Sequence, residues 1–172
     1  NSTITLLNGD VEIGTATADS EGDFSVSPSS ALADGDYSLE AIATDAAGNI
    51  SPQSSSLSIT IDTLAPDAPS SLVDISATNN TTPTITGTAE ANSTITLLNG
   101  DVEIGTATAD SEGDFSVSPS TDLADGVYSL TATATDTAGN ISTVSSSISI
   151  TIDTTVPNAP ASLATTSSDT NN

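Results

Sequence analysis

The chain has 172 residues and a formal net charge of −23, from 23 acidic residues and no Lys, Arg or His. Without Cys there are no disulfides. Without His, Cys or Lys, a Ser has no partnered base, and the carboxylates have no aromatic sugar platform beside them, so we expect no enzymatic activity. The uniform negative charge repels nucleic acid and anionic lipid, and no segment approaches 18 apolar residues, so we expect neither nucleic-acid binding nor direct membrane insertion.

The sequence is an internal repeat. Residues 1–29 recur without one change as residues 92–120, a period of 91 residues, and the rest of the overlap matches at most positions. A fixed period indicates stacked copies of one structural unit. A strand-like alternation that runs into a Pro-bracketed segment also occurs twice, at Ile59–Pro69 and Ile150–Pro160. Because Pro ends strand pairing and stiffens a connector, we interpret both segments as linkers between repeats.

These linkers predict the domain organisation. One complete repeat covers residues 63–154, residues 1–62 form an incomplete repeat that lacks its first strands, and residues 155–172 begin a third. Two whole periods would exceed the chain by ten residues. We therefore expect the chain to be an excerpt of a longer array, and the sequence leaves open whether another segment completes residues 1–62.

Seven short runs in the complete repeat alternate apolar and polar residues with a period of two, which is typical of strands. Asn99-Gly100 between two such runs is a strong hairpin signal. The short strands, the regular turns and the absence of helical spacing predict an all-β fold, with tandem seven-stranded immunoglobulin-like β-sandwiches in a linear array. The predicted strands are Ser71–Ile75, Thr84–Thr88, Ser93–Leu98, Val102–Ala109, Phe115–Ser118, Val127–Thr135 and Ser147–Ile152.

The predicted core is thin, because the chain has only two Phe and two Tyr. A unit of this size with few aromatic residues should be marginally stable, and a cation that binds only the folded state would stabilise it. Tyr37 and Tyr128 fit the tyrosine corner of such sandwiches. The expected core residues are Ile85, Ile95, Leu97, Ile104, Phe115, Val117, Tyr128, Leu130, Ile148, Ile150 and Ile152.

Four segments carry a resemblance to a known family: Asp62–Pro69, Thr82–Ala89, Leu123–Tyr128 and Ala134–Asn140. They resemble the bacterial immunoglobulin-like repeats of giant secreted adhesins, including the extender repeats of RTX adhesins and of an ice-binding adhesin. The resemblance covers the whole chain. It implies a rod of repeats at the bacterial cell surface, linkers made rigid by calcium, and a target-binding region carried by other domains.

Alternating strand directions would bring residues 90–92, 110–114 and 136–140 to the pole that the linker, residues 62–67, also reaches. Calcium takes six to eight oxygen ligands, and without His or Cys the loops do not favour zinc or copper. At the second linker Asn158 stands where the first linker has Asp67, so a charged ligand is lost and we expect weaker calcium binding there. The predicted Ca²⁺ ligands are Asp62, Asp67 and Asp136, with Glu90, Asp110 and Asn140 as lesser candidates, and Asp153 and Asn158 at the second linker.

The alternative for each of these residues is that it closes a turn, as loop Asp and Asn residues usually do. Asp62 and Asp153 favour the ligand role, since each stands directly between a strand and a Pro-containing linker. Asp110–Asp114 lacks the length and the terminal Glu of an EF-hand loop, so a plain hairpin turn is favoured there. Asp122 and Asp125 are also predicted turn residues.

The preferred function is a structural extender whose partners are the neighbouring repeats of the same protein. The near-identity of the copies favours it, since repeated spacers need no variation. One alternative is a surface-binding module for sugar or ice, which would use exposed Thr-rich faces or pole loops. Another is a self-assembling filament, in which residues 155–172 of one chain dock beside residues 1–62 of the next in a head-to-tail contact.

Overall fold

The computed structural model describes residues 1–161, and these divide into two compact units. Unit 1 comprises Asn1–Ala65 together with Ala138–Asn140, and unit 2 comprises Pro66–Thr137 together with residues 141–161 of the described part. Strands, turns and loops make up both units, which confirms the predicted all-β class. Within this described part there is no helix with the length and apolar character needed to cross a membrane.

The strands follow the period-two patterns of the sequence closely. The first four belong to unit 1 and the other seven to unit 2. In chain order they are β1 Thr3–Asn8, β2 Val11–Thr17, β3 Gly35–Thr44, β4 Leu57–Ile61, β5 Ile75–Thr78, β6 Ile85–Thr88, β7 Thr94–Asn99, β8 Val102–Thr108, β9 Asp114–Val117, β10 Gly126–Thr135 and β11 Ile148–Ile152.

Unit 2 is built from two sheets that share one core. The larger sheet has the order β5-β11-β10-β7-β8, and the smaller sheet pairs β6 with β9. All pairs are antiparallel except β5 with β11. Alternate residues of both sheets point inward, as the period of two requires. The core residues that are at most 2% exposed include Ile85 of β6, Val117 of β9, and Ile95, Leu97, Leu130, Ile150 and Ile152 of the larger sheet.

The first strand of unit 2 changes sheets. Ser70 pairs with Thr88, the last residue of β6, through two backbone hydrogen bonds of 2.8 and 2.9 Å. Ser71 then adopts a φ of 57°, and β5 begins only at Ile75, beside β11. The predicted strand Ser71–Ile75 is therefore wrong in its bounds. The alternation of apolar and polar residues indicates that a segment is extended. It does not indicate that the chain leaves one sheet for the other at Ser71, where φ is positive.

Two local features confirm signals read from the sequence. The hairpin between β7 and β8 turns at Gly100 and Asp101, with Gly100 at a φ of 62° that suits the residue without a Cβ. The Tyr128 hydroxyl donates to the backbone carbonyl of Ala124 at 3.0 Å. Tyr37 makes the same bond in unit 1, at 2.9 Å, so both repeats carry a tyrosine corner.

Unit 1 contains four strands of the larger sheet of unit 2, but in the described residues no second sheet packs against them. Its strand order, β2-β1-β3-β4, corresponds to β8-β7-β10-β11. Asp23–Val26 is identical in sequence to β9 but forms no strand, because the described part of unit 1 contains no counterpart of β6. Phe24 is consequently 51% exposed, whereas the equivalent Phe115 is 4% exposed. A strand here depends on its partner more than on its own sequence.

Gly105 offers a direct test of the packing between β8 and the following loop. A Cβ at this position would lie 2.2 Å from the backbone oxygen of Ser118, which the 2.6 Å bond from Ser120 N–H to the Ile104 carbonyl helps to hold in place. We expect Gly105→Ala to lower the free energy of unfolding by about 1–3 kcal/mol, as overpacking does. Urea unfolding followed by circular dichroism measures this.

Gly126→Ala is the matched control. A Cβ there would meet the Tyr128 ring at an ordinary 3.8 Å, so the unfolding free energy should change by less than about 0.5 kcal/mol. Equal destabilisation by the two substitutions would show that the close approach at Gly105 is not what makes this glycine necessary.

Candidate cation-binding loops and linker anchors

The eight predicted ligands occupy loops and the two linkers, and six of them are exposed. Asp136 is only 9% exposed, and Asn140 of the same loop is half-buried. Exposure leaves a carboxylate free to meet a cation from solution, but it also keeps the carboxylate well hydrated without one. The exposed members are Asp62, Asp67, Glu90, Asp110, Asp153 and Asn158.

Both linkers begin with the same turn. Asp62 Oδ1 accepts a hydrogen bond from the Leu64 N–H, and Asp153 Oδ1 accepts one from the Thr155 N–H, each at 3.0 Å. One carboxylate oxygen of each Asp thus closes an Asx-turn at the start of the linker. The structure also brings two predicted ligands together, because the Asn140 side-chain amide donates to the Asp62 backbone carbonyl at 3.0 Å. The ligand role of all these residues stays a prediction.

At one end of unit 2, hydrogen bonds hold two predicted loops side by side. The Ala89 N–H donates to the Gly113 carbonyl at 2.9 Å, and the Asn92 N–H donates to the Asp110 carbonyl at 3.2 Å. Asp67 and Glu90 line one shallow groove beside these loops. The sequence analysis predicted that the Glu90 loop and the Asp110 loop share one pole of the sandwich. These two hydrogen bonds join the two loops directly.

The turn that follows β2 in unit 1 and the turn between β8 and β9 in unit 2, which we call the hairpin turns, each carry a cluster of three carboxylates. Their oxygens lie within 4.8 Å of one another, a spacing that permits two ligands on one calcium ion with Ca–O distances of about 2.3–2.6 Å. All six residues are exposed. Within residues 1–161, these are the groups of three acidic side chains that can hold a cation: Asp19, Glu21 and Asp23 in unit 1, and Asp110, Glu112 and Asp114 in unit 2.

The same hairpins are also closed by their first Asp. Asp110 Oδ1 accepts from the backbone N–H groups of Glu112 and Asp114, both at 2.9 Å, and Asp19 does the same in unit 1. The hairpin turn that the sequence favoured is therefore present. Glu112 and Asp114 were not among the predicted ligands. The signal that points to them is the recurrence of acidic residues at every second position of a tight turn.

The loop around Asp136 has a sequence equivalent in unit 1, where its hydrogen bonds are explicit. Asp45 Oδ1 accepts from the Ala47 and Asn49 N–H groups at 2.9 and 2.8 Å, and Oδ2 accepts from the Asn49 side-chain amide at 2.8 Å. That amide and then the backbone bonds lower the pKa of Asp45 below its ordinary value. In unit 1 the equivalent of Asp136 is thus the acceptor that closes its loop.

Hydrogen bonds that the sequence did not reveal connect each linker to the repeat before it. In each case one Asp of the repeat accepts them from a linker Thr, and we call this Asp the anchor. Asp34 Oδ1 accepts from the Thr63 N–H at 3.1 Å and from its hydroxyl at 2.9 Å. Asp125 makes the same two bonds to Thr154, at 2.9 and 2.7 Å, and its Oδ2 accepts from the Thr155 hydroxyl at 3.0 Å. Asp125 was predicted only as a turn residue. The available signal was that Asp-Gly and the later Asp-Thr keep the same spacing in both repeats.

The Asp125 anchor makes a prediction about acid titration. Hydrogen bonds from Thr154, its hydroxyl first, lower the pKa of Asp125 below 3.8. Because the folded-state pKa is depressed, the anchor contributes stability above the unfolded pKa and loses it as pH falls through the folded pKa. We expect Thr154→Val to raise the Asp125 pKa toward 3.8, measured by NMR titration of the side-chain carboxyl carbon.

Thr151→Val on β11 provides the control, and it should leave the Asp125 titration unchanged. If Thr154→Val also leaves it unchanged, the hydroxyl of Thr154 does not hold the carboxylate in solution, and the anchor does not exist as described.

Among solved structures, the chain is similar to the fibronectin(III)-like modules of Clostridium thermocellum CbhA. The two are 18% identical with a TM-score of 0.56, and the alignment covers 94% of this chain and 84% of the modules. At this identity the likeness shows the fold, a sandwich of the immunoglobulin and fibronectin type. The predicted immunoglobulin-like fold class is confirmed.

Two further solved structures match with 28% identity over 90% of this chain. One is the BSP domain of a biofilm associated protein, with a TM-score of 0.41, and the other is a tetra-tandem repeat in the extending region of a large adhesion protein, with a TM-score of 0.37. The chain spans 25% of the first and 42% of the second. No curated protein matches the chain.

The family model of the bacterial Ig-like domain matches residues 1–63 and again residues 70–154. The match falls once on the sheet of unit 1 and once on the sandwich of unit 2, and it covers most of the chain. The chain belongs to the bacterial Ig-like domain family.

Proposed function

We propose that this chain is part of the extender of a bacterial cell-surface adhesin, where repeats joined in line hold a distal binding region away from the cell. The observation that carries the proposal is the unchanged recurrence of residues 1–29 as 92–120, with the same order of the four strands that both units share. A spacer gains length from each exact copy and needs no variation between copies. The absence of His, Cys and Lys also supports a structural role without catalysis.

The linker anchors support a stiff connection. Asp34 holds Thr63 and Asp125 holds Thr154, so a residue near the start of each linker is fixed to the repeat that precedes it. Pro66 and Pro69 follow in the first linker, and both are buried. A linker that has few free torsions, because hydrogen bonds and proline rings fix them, transmits orientation from one repeat to the next.

Calcium is the cation that we infer for the acidic loops. With 23 acidic residues and no basic side chain, the chain repels itself, and divalent cations from solution would offset this repulsion. The donors are carboxylate, amide and carbonyl oxygens, which suit a hard ion with irregular coordination. We propose that Asp62, Asp67 and Asp136 hold an ion at the first linker and Asp153 and Asn158 a weaker one at the second, with Glu90, Asp110 and Asn140 contributing.

Small-angle X-ray scattering on an array of three whole repeats tests the extender. With millimolar calcium we expect a rod with a large maximum dimension, because bridged linker carboxylates no longer repel one another. With chelator the array should become flexible and shorter on average. Magnesium at the same concentration is the control for ionic strength. Superimposable profiles with calcium and with chelator would remove calcium from the proposed mechanism and leave proline and the anchors to stiffen the linker.

Two sets of variants distinguish the linker carboxylates from the hairpin clusters. In the three-repeat array, Asp62→Asn with Asp67→Asn at every linker should raise the calcium concentration needed for stiffening, because each ion loses charged ligands. Glu112→Gln with Asp114→Asn at every hairpin removes charges away from the linker, and it should leave the stiffening midpoint within about twofold. The scattering midpoint in a calcium titration measures both. The reverse ranking would move the ion from the linker to the hairpins.

A further inference from the structure

The turn between β1 and β2 and the turn between β7 and β8 contain the same dipeptide, and we call them the Asn-Gly turns. Asn8-Gly9 and Asn99-Gly100 are the two places in the chain where Gly follows Asn. Both glycines are exposed and have a positive φ, 60° for Gly9 and 62° for Gly100. A Cβ at either glycine would meet no atom within 4 Å. The space beside both glycines is therefore open.

Neither reacting group of these dipeptides is held by a hydrogen bond. Within residues 1–161, the side-chain amides of Asn8 and Asn99 have no hydrogen-bond partner. In the same part of the chain, the backbone N–H groups of Gly9 and Gly100 make no turn hydrogen bond. The side-chain carbonyl carbon of each Asn and the backbone nitrogen that follows it are thus both available for reaction.

Two loop asparagines show the opposite arrangement. The Asn49 side-chain amide donates to the Asp45 carboxylate at 2.8 Å, and the Asn140 side-chain amide donates to the Asp62 backbone carbonyl at 3.0 Å. The next residue in both cases is Ile, whose branched side chain crowds the backbone nitrogen. The structure therefore distinguishes the Asn-Gly turns from asparagines that are held in place.

We propose that Asn8 and Asn99 are sites of spontaneous deamidation. The Gly100 backbone nitrogen forms a bond to the side-chain carbonyl carbon of Asn99, and the side-chain nitrogen leaves as ammonia, taking the proton of the Gly100 nitrogen. The product is a cyclic imide. Water then opens the imide at its side-chain carbonyl to give an aspartyl residue, or at its main-chain carbonyl to give an isoaspartyl residue. Asn8 reacts with Gly9 in the same way, and neither reaction depends on the extender role or on calcium.

The fold permits this reaction at little cost. Because the reaction is intramolecular, the nitrogen and the carbon meet without the entropy cost of a bimolecular encounter. Glycine has no Cβ to obstruct the approach. The rotation that brings Gly100 toward the Asn99 side chain disturbs only the end of each ladder, where Asn99 pairs with Val102 on one side and with Leu130 on the other. Strand ends open more readily than strand centres.

Deamidation changes both the charge and the backbone of the turn. Each conversion adds one negative charge to a chain with a formal charge of −23 and no basic side chain. In unit 2 the new carboxylate stands beside Asp101 in a tight turn, so like charges repel there. The isoaspartyl product also adds a carbon to the backbone at the last residue of β7, which breaks its pairing with Val102. Since every copy of the turn is a site, a longer array accumulates more such changes.

Mass spectrometry of the 172-residue chain, incubated at mildly alkaline pH in water enriched in heavy oxygen, tests the two sites. We expect both Asn-Gly turns to exchange an amide nitrogen for a heavy oxygen at least about tenfold faster than Asn49 and Asn140. Cleavage after glutamate resolves the two turns, because the peptide from the second repeat also carries Ala91. Equal rates at the turns and at the two held asparagines would overturn the proposal.

Asn99→Gln is the matched control. Its side chain is one methylene longer, so closing the ring is slower, and conversion at this position should fall at least about tenfold while Asn8 converts at an unchanged rate. A synthetic peptide of residues 95–104 gives the rate of the same dipeptide without the fold. If the peptide converts and Asn99 in the chain does not over the same period, the folded turn protects the site and the proposal is wrong. Anion exchange measures the conversion independently, because each step adds a negative charge.

Discussion

The pairing of Ile85–Thr88 with Asp114–Val117 is the interaction on which the closed sandwich depends. The segment Asp23–Val26 has the same sequence as Asp114–Val117, yet it remains an irregular edge where that partner is missing. The buried environment of Phe115 disappears with the strand, since Phe24 is largely exposed. The strand at Asp114–Val117 therefore forms because it has a tertiary partner. The local sequence is compatible with an extended conformation, but it does not form a strand without that partner.

The acidic composition constrains how the loops are built. With no Lys or Arg, carboxylates cannot be paired with basic side chains, and Asp instead accepts hydrogen bonds from backbone N–H groups. Asp19, Asp45 and Asp110 close turns in this way, and Asp34 and Asp125 anchor the linkers. Such bonds satisfy the donors of the loop, but they leave the net charge uncompensated. Charge neutralisation must come from outside the chain, which is the physical reason for expecting cations.

The sequence predicted the strands well because an exposed sheet face imposes a period of two, and it predicted the hairpin and tyrosine corner because both are local. It did not predict the switch between sheets at Ser71, since alternation does not identify a strand's partner. For the site, the sequence identified the acidic loops. The bonds between Asp125 and Thr154 join residues 29 positions apart, and so they required the fold. The linker ligand set stays a prediction, whereas the hairpin clusters are visible in the geometry.

Near-identical repeats carry a hazard that follows from their identity. A strand equivalent to β6 in one repeat can pair with the equivalent of β9 in a neighbouring repeat, so adjacent copies can exchange strands and misassemble. Covalent connection opposes this exchange. In unit 2 only the short loop between β6 and β7 separates β6 from the larger sheet, and this gives β6 a high effective concentration at its own partner, β9. An external strand competes poorly with this tethered one, so the closed sandwich of unit 2 is favoured over exchange with a neighbouring copy.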